Sequence, residues 1–256
     1  MGNLIRMDLY RMRKGKGFLV CLILAFVFAF MQTPFAWLLT LLGRMISGEV
    51  IPLAPTAPLT EILSNPLPLL NAMLVMLSAC AFFYADVEYG YIKNIAGQMP
   101  KRGFTILSKF IAIIPHNLLF MLAGVIGNLI GTLIFQRISF EGDIAHSLLV
   151  FVLRLLLLQS ICSILLLVTS GLQSKPLGTV LAVLLGMGLL GVAYMGIDAG
   201  INQLLHLENF SLARYMPDQL LGKANPPTLD AILVSAVTTA IFLPLSIRVF
   251  DRRDVK

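Results

Sequence analysis

The sequence predicts an all-α polytopic membrane protein with six transmembrane helices and cytoplasmic N- and C-termini, and three observations carry that expectation. The chain of 256 residues is 58% hydrophobic and 12% charged, with a mean hydropathy of +0.88, too apolar to clothe a water-soluble surface. Its apolar residues gather in runs, nearly all free of Asp, Glu, Lys and Arg, long enough to cross a hydrocarbon core of about 30 Å. No run alternates with the period of two expected of a membrane barrel, so each must satisfy its own backbone as a helix. The length fits a single membrane domain over residues 1–256.

The elements follow in order. Residues 1–16 are a basic segment in which Ile5, Leu9 and Met12 share a helical face with Arg6, Arg11 and Lys14 largely opposite; it either lies along the inner membrane surface or anchors the topology by charge. The first span, 18–43, begins as a signal peptide does, but it runs for about 26 residues without a small-residue cleavage site and is expected to be retained. A second span covers 62–85, and a charged loop, 86–109, separates it from the third at 110–136. In the third, Gly127 and Gly131 form a small-xxx-small pair with Gly124 nearby, a pattern that lets helices approach closely. The fourth, 145–174, holds a single charge, Arg154; the fifth, 176–197, carries Gly178, Gly186, Gly188, Gly191 and Gly196. The longest loop, 198–230, has Pro217, Pro226 and Pro227 among apolar residues and suggests short helices on the outer leaflet. The sixth span, 231–247, closes the series; Pro34, Pro115 and Pro244 are expected to kink spans or mark their ends.

Orientation follows from basic residues, which concentrate on the cytoplasmic side of membrane proteins. The side bearing both termini and loop 86–109 holds fourteen of the nineteen Lys and Arg and is net +9, against net −3 opposite. That side is expected to be cytoplasmic, in a cell membrane crossed several times.

Chemistry is sparse. His116, His146 and His206 are scattered, and none has a partner at metal-ligand spacing; His116, after Pro115, reads as a polar contact between helices. Cys21, Cys80 and Cys162 sit in apolar runs as small buried hydrophobes. Gly43 to Gly48 has the glycine gap of a phosphate loop, but Glu49 stands where its lysine belongs. No enzyme activity, metal or cofactor is therefore expected in this chain, nor a nucleic-acid partner. The spans lack the carboxylate that proton-driven carriers place in the membrane, which weakens that class. Arg154, about 12 to 15 Å from the outer surface by helix rise, can snorkel outward or line a polar cavity, and the depth favours a cavity on a translocation path.

The loop after the second span is the most specific stretch, reading Asp86-Val-Glu88-Tyr89-Gly90-Tyr91-Ile-Lys93-Asn94, then Lys101-Arg102, then Lys109. It resembles the corresponding loop of type-2 ABC exporter permeases, with Glu88, Gly90, Lys93, Asn94, Arg102 and Lys109 at matching positions. The six-span layout, basic N-terminal segment and tail Phe250-Asp-Arg-Arg-Asp-Val are also similar to that family. The resemblance implies that the loop docks as a coupling helix on a separate ABC ATPase, which holds the ATP and Mg. It implies also that a second copy of the chain, or a related permease, completes the path. Tyr89 and Tyr91 beside paired charges suit an interface anchor. Among the members, the chain looks most like small Gram-positive permeases of peptide export and immunity, exporters of phenol-soluble modulins included, which implies amphipathic cytotoxic or antimicrobial peptides as cargo. Two other classes stay open: a carrier or channel without an ATPase, and a membrane scaffold or sensor.

Overall fold

The computed structural model describes residues 2–47, 56–67, 69–91, 103–205, 211–223 and 225–252. Helix dominates it. Five helices are long and apolar enough to cross a membrane: α2 (Lys16–Ser47), α4 (Leu69–Glu88), α5 (Gly103–Phe135), α6 (Ile144–Leu166, prolonged by a wide turn Leu167–Gly171) and α10 (Thr228–Arg252). Preceding them is α1 (Gly2–Lys14), and α3 (Leu59–Ser64) is a single short turn before α4. The pair α7 (Lys175–Gly186) and α8 (Leu190–Leu205) counts as a sixth span only if its break is ignored, since the two are bent by 77°.

That bend divides the expected span 176–197 into two helices. Gly188 sits at φ +65° just past α7, while Leu189 N–H bonds Leu184 O at 3.0 Å and Gly188 N–H bonds Leu185 O at 3.2 Å. The two bonds form a glycine-terminated helix end, which satisfies the last carbonyls and turns the chain away. Apolar composition continues through the turn, so hydropathy cannot see it.

The second span is divided in the same way. Residues 62–85 are not one helix: α3 stops at Ser64, Asn65 and Pro66 break the path, and α4 starts at Leu69. A proline forces the residue before it out of the helical region, which makes Asn65 the natural stop. By contrast Pro34, Pro115 and Pro244 end nothing, for α2, α5 and α10 run through them. Two three-residue strands, β1 (Thr56–Pro58) and β2 (Arg137–Ser139), pair in parallel and fasten the segment before α3 to the end of α5. They were not expected from the sequence.

In a lipid solvent, helix association depends on close packing and buried polar contacts rather than on transfer from water. The glycines of α5 serve this: a methyl group at Gly127 or Gly131 would run into the α2 backbone at Phe26 and Phe30, and one at Gly124 into the Pro66 carbonyl. Between α4 and α5, His116 Nε2 meets Ser78 Oγ at 3.0 Å, and between α5 and α6 the Asn117 amide donates to Gln159 Oε1 at 3.1 Å. His116 is thus an interhelical contact. All three cysteines are free thiols, Cys80 and Cys162 wholly inside the core.

The first helix α1 and the last turns of α10 lie at one end of the bundle. Asp8 of α1 meets Ser108 at the start of α5, and Gly103 of α5 faces Ile247 and Asp251 near the end of α10. The end of α4 joins the same layer through Asp86.

Candidate functional site

At the end bearing α1 and the end of α10, the side chains that brace the last turn of α4 against α1 and the start of α5 form a closed polar cluster. Asp86, on the last turn of α4, is paired to Arg11 at 2.9 Å and lies 3.2 Å from Lys109 Nζ, an ion-pair contact without hydrogen-bond alignment. Its carboxylate and the Lys109 ammonium are almost wholly buried, at 5% and 3% exposed. Lys109 also donates to Phe83 O, which receives the Ser170 hydroxyl at 2.9 Å. The wide turn Leu167–Gly171 carries Ser170 there, because one extra residue in the turn resets which face points inward. Asp8, buried on α1, accepts a hydrogen bond from Ser108. Burial pushes the Asp8 carboxyl above its ordinary range, opposed by that hydrogen bond and by Lys109 and Arg11. The cluster is packed shut, leaving a void of about 10 Å³ beside Asp86, Lys109 and Phe250.

The predicted coupling residues divide. Glu88, Tyr89, Gly90 and Tyr91 lie on this braced end, whereas Lys93, Asn94 and Arg102 lie outside the described residues. Gly90 adopts φ +68°, a left-handed turn that a side chain would strain, and it ends α4. Glu88 pairs with Lys175 of α7 at 2.7 Å, both about half exposed. Tyr91 lies under the Arg11 guanidinium at 4.3 Å, and its ring centre is 6.0 Å from that of Tyr89, which is 69% exposed. An aromatic pair therefore projects from a rigid base.

Asp8 was missed at the level of sequence. The buried stripe of α1 is Leu4, Asp8 and Met12, not Ile5, Leu9 and Met12. Their four-residue spacing was the available signal, but a carboxylate inside an apolar stripe reads as an exception until its partner Ser108, a hundred residues on, is known.

At the opposite end a cavity of about 760 Å³ lies between α2, α4, α6 and α7. Its apolar lining comes from Leu67 just before α4, Ala72 of α4, Leu185 at the end of α7, and Leu221. Arg154 lines it, 2% exposed, donating to Asn65 Oδ1 at 2.9 Å and to Lys223 O at 2.8 Å. It thereby ties the α3–α4 break to a roof made of the turn Ala213–Tyr215 and α9 (Pro217–Gly222). That roof corrects part of the expectation for loop 198–230: Leu220 and Leu221 of α9 are buried against the protein, so this short helix does not present an apolar face to lipid. Asp198 of α8 accepts the Leu212 N–H at 2.6 Å and Tyr194 reaches Asp218 at 3.4 Å, holding α8 to the roof. Burial pushes the Asp218 carboxyl above its ordinary range.

No known family model matches the chain, and no curated protein is similar to it in sequence.

Proposed function

We propose that the chain is the membrane subunit of an ATP-driven exporter of the type-2 ABC class, working with a separate ABC ATPase and a second copy of itself or a related permease. In this reading the termini and loop 86–109 are cytoplasmic, the membrane is the bacterial cytoplasmic membrane, and the cargo is an amphipathic peptide exported for secretion or self-protection. One observation carries most weight. The exposed Tyr89–Tyr91 pair stands on a base that joins α1, α4 and α5 through the buried Asp86–Arg11–Lys109 cluster, with Glu88 reaching α7. A partner gripping that pair would move several helices together, as coupling between two conformations requires. The cavity around Arg154 lies at the end away from the coupling residues, so in this reading Arg154 stands beside the outer part of the path.

The test is co-expression with a candidate ABC ATPase and purification in nanodiscs. Tyr89→Ala/Tyr91→Ala is expected to weaken ATPase association about tenfold or more while leaving the folded amount unchanged. Undiminished association and ATP turnover in the double variant would overturn the docking role. If no ATPase binds the unaltered chain, a carrier that uses the Arg154 cavity as its substrate site becomes the better reading.

A further inference from the structure

Helix α1 turns most of its cations away from the protein. With about 100° between successive helical residues, Leu4, Asp8 and Met12 fall on one side, and all are buried, Asp8 against Ser108 of α5. Arg6, Tyr10 and Arg13 fall on the opposite side with Lys14 beside them, and all are exposed. Lys16, the first residue of α2, is exposed as well and continues the row. Arg6, Arg13, Lys14 and Lys16 enter no ion pair or hydrogen bond among the described residues. No acid shares their face: Asp8 points inward, and Asp86 is taken by Arg11 and Lys109. Half-buried Met7 and Leu9 flank the row.

The height of α1 decides what this row meets. Ser108, which holds Asp8, lies roughly 7 Å along α5 from its start at Gly103, so α1 rests against the side of the first turns rather than beyond them. Apolar side chains are exposed at the same end, Phe104 on α5 and Leu19 and Val20 on α2, the last two within about one turn of Lys16. The cations therefore border the surface that faces lipid.

We propose that the outer face of α1 binds the headgroups of anionic phospholipids. An interfacial helix ordinarily sinks its apolar face into lipid and turns its cations to water. Here α5 occupies the buried stripe, so α1 meets the membrane with its basic face instead. Guanidinium groups hold phosphate oxygens through paired N–H donors, and the Tyr10 phenol, 63% exposed, suits the border between headgroups and acyl chains. Attraction to a negatively charged surface grows with each cation in the row, whereas a lipid without net charge gains little from them. Asp8 and Arg11 fasten α1 from its other side and present the row as a fixed surface. The assignment goes beyond the exporter reading and does not depend on it, because the lipid is held whether or not an ATPase drives the chain.

The test places the full chain, without ATPase, in vesicles of equal parts phosphatidylglycerol and phosphatidylcholine. Trp37 is the sole tryptophan, so Trp37→Phe with Tyr10→Trp puts a single fluorophore on the outer face of α1. Its emission is compared when bromines are carried on the upper acyl chains of one lipid or of the other. Brominated phosphatidylglycerol is expected to quench about threefold more strongly than brominated phosphatidylcholine, and about 0.5 M salt to remove most of the difference. In the same background, Arg6→Gln/Arg13→Gln/Lys14→Gln alters exposed side chains and is expected to bring the ratio close to one with the melting temperature unchanged, while Arg6→Lys/Arg13→Lys keeps it. The salt arm and the lysine variant decide the matter should the triple variant fail to fold. Equal quenching by the two lipids with the row intact, a ratio that salt leaves unchanged, or a folded triple variant with the original ratio each overturns the proposal. Quenching by neither lipid also overturns it and gives the row to water or to an acidic protein partner.

Discussion

The two ends of the bundle handle buried cations in opposite ways. At the end with α1, Lys109 is enclosed between Asp86 and the Phe83 carbonyl with almost no space left, about 10 Å³. At the other end Arg154 is equally buried, and among its contacts are the Asn65 side chain and the Lys223 carbonyl, beside a cavity of about 760 Å³. The contrast is one of packing. Lys109 has the space around it filled by its partners, whereas Arg154 stands at the edge of open volume.

Removing each cation breaks the comparison most directly. Lys109→Met leaves the Asp86 carboxylate buried with Arg11 as its remaining cation; a loss of about 3 kcal/mol of stability is expected, from thermal unfolding in detergent. A melting curve indistinguishable from that of the unaltered chain would mean that the cluster does not brace the coupling end. Arg154→Met deprives Asn65 and the Lys223 carbonyl of a donor, with an expected cost of about 2 kcal/mol. Its signature is local: a cysteine placed in the roof at Gly222 should react faster with a water-soluble thiol reagent. An unchanged rate would show that the roof is held by other contacts.

The smallest effect concerns Asp8. Burial raises its folded-state affinity for a proton above that of the unfolded chain. Its contribution is therefore fully present below the ordinary carboxylate value of about 3.9 and is lost as the pH rises through the elevated one. Asp8→Asn keeps the Ser108 contact without the titration. The melting temperature of the unaltered chain should fall relative to this variant over the interval above about pH 4. A constant difference over that interval would place the Asp8 carboxyl in its ordinary range.

Legibility in the sequence followed the range of the interaction. Spans one, three, four and six appear close to where apolar runs placed them, because the solvation of a helix in lipid adds up residue by residue along the chain. The close approach at Gly127 and Gly131 was legible for a related reason: small residues four apart must face one neighbour. Arg154 borders a cavity, one of the two surroundings that its place in the run allowed. The break at Gly188 was hidden inside a run that stays apolar, since turning depends on backbone conformation and capping bonds that hydropathy averages away, whereas Ser64-Asn65-Pro66 carried a turn signal that the hydropathy of the whole run outweighed.

The sequence by itself determined that this is a helical membrane protein, and it marked Glu88, Tyr89, Gly90, Tyr91 and Arg154 as residues of interest. Only the tertiary structure decided what surrounds them. It joined Arg11 to Asp86, Asp8 to Ser108 and Arg154 to Asn65, partners 75 to 100 residues apart whose meeting no local pattern encodes. It also shut one end of the bundle and opened the other. That difference depends on how far neighbouring helices stand apart, a property of packing between segments rather than of any one of them.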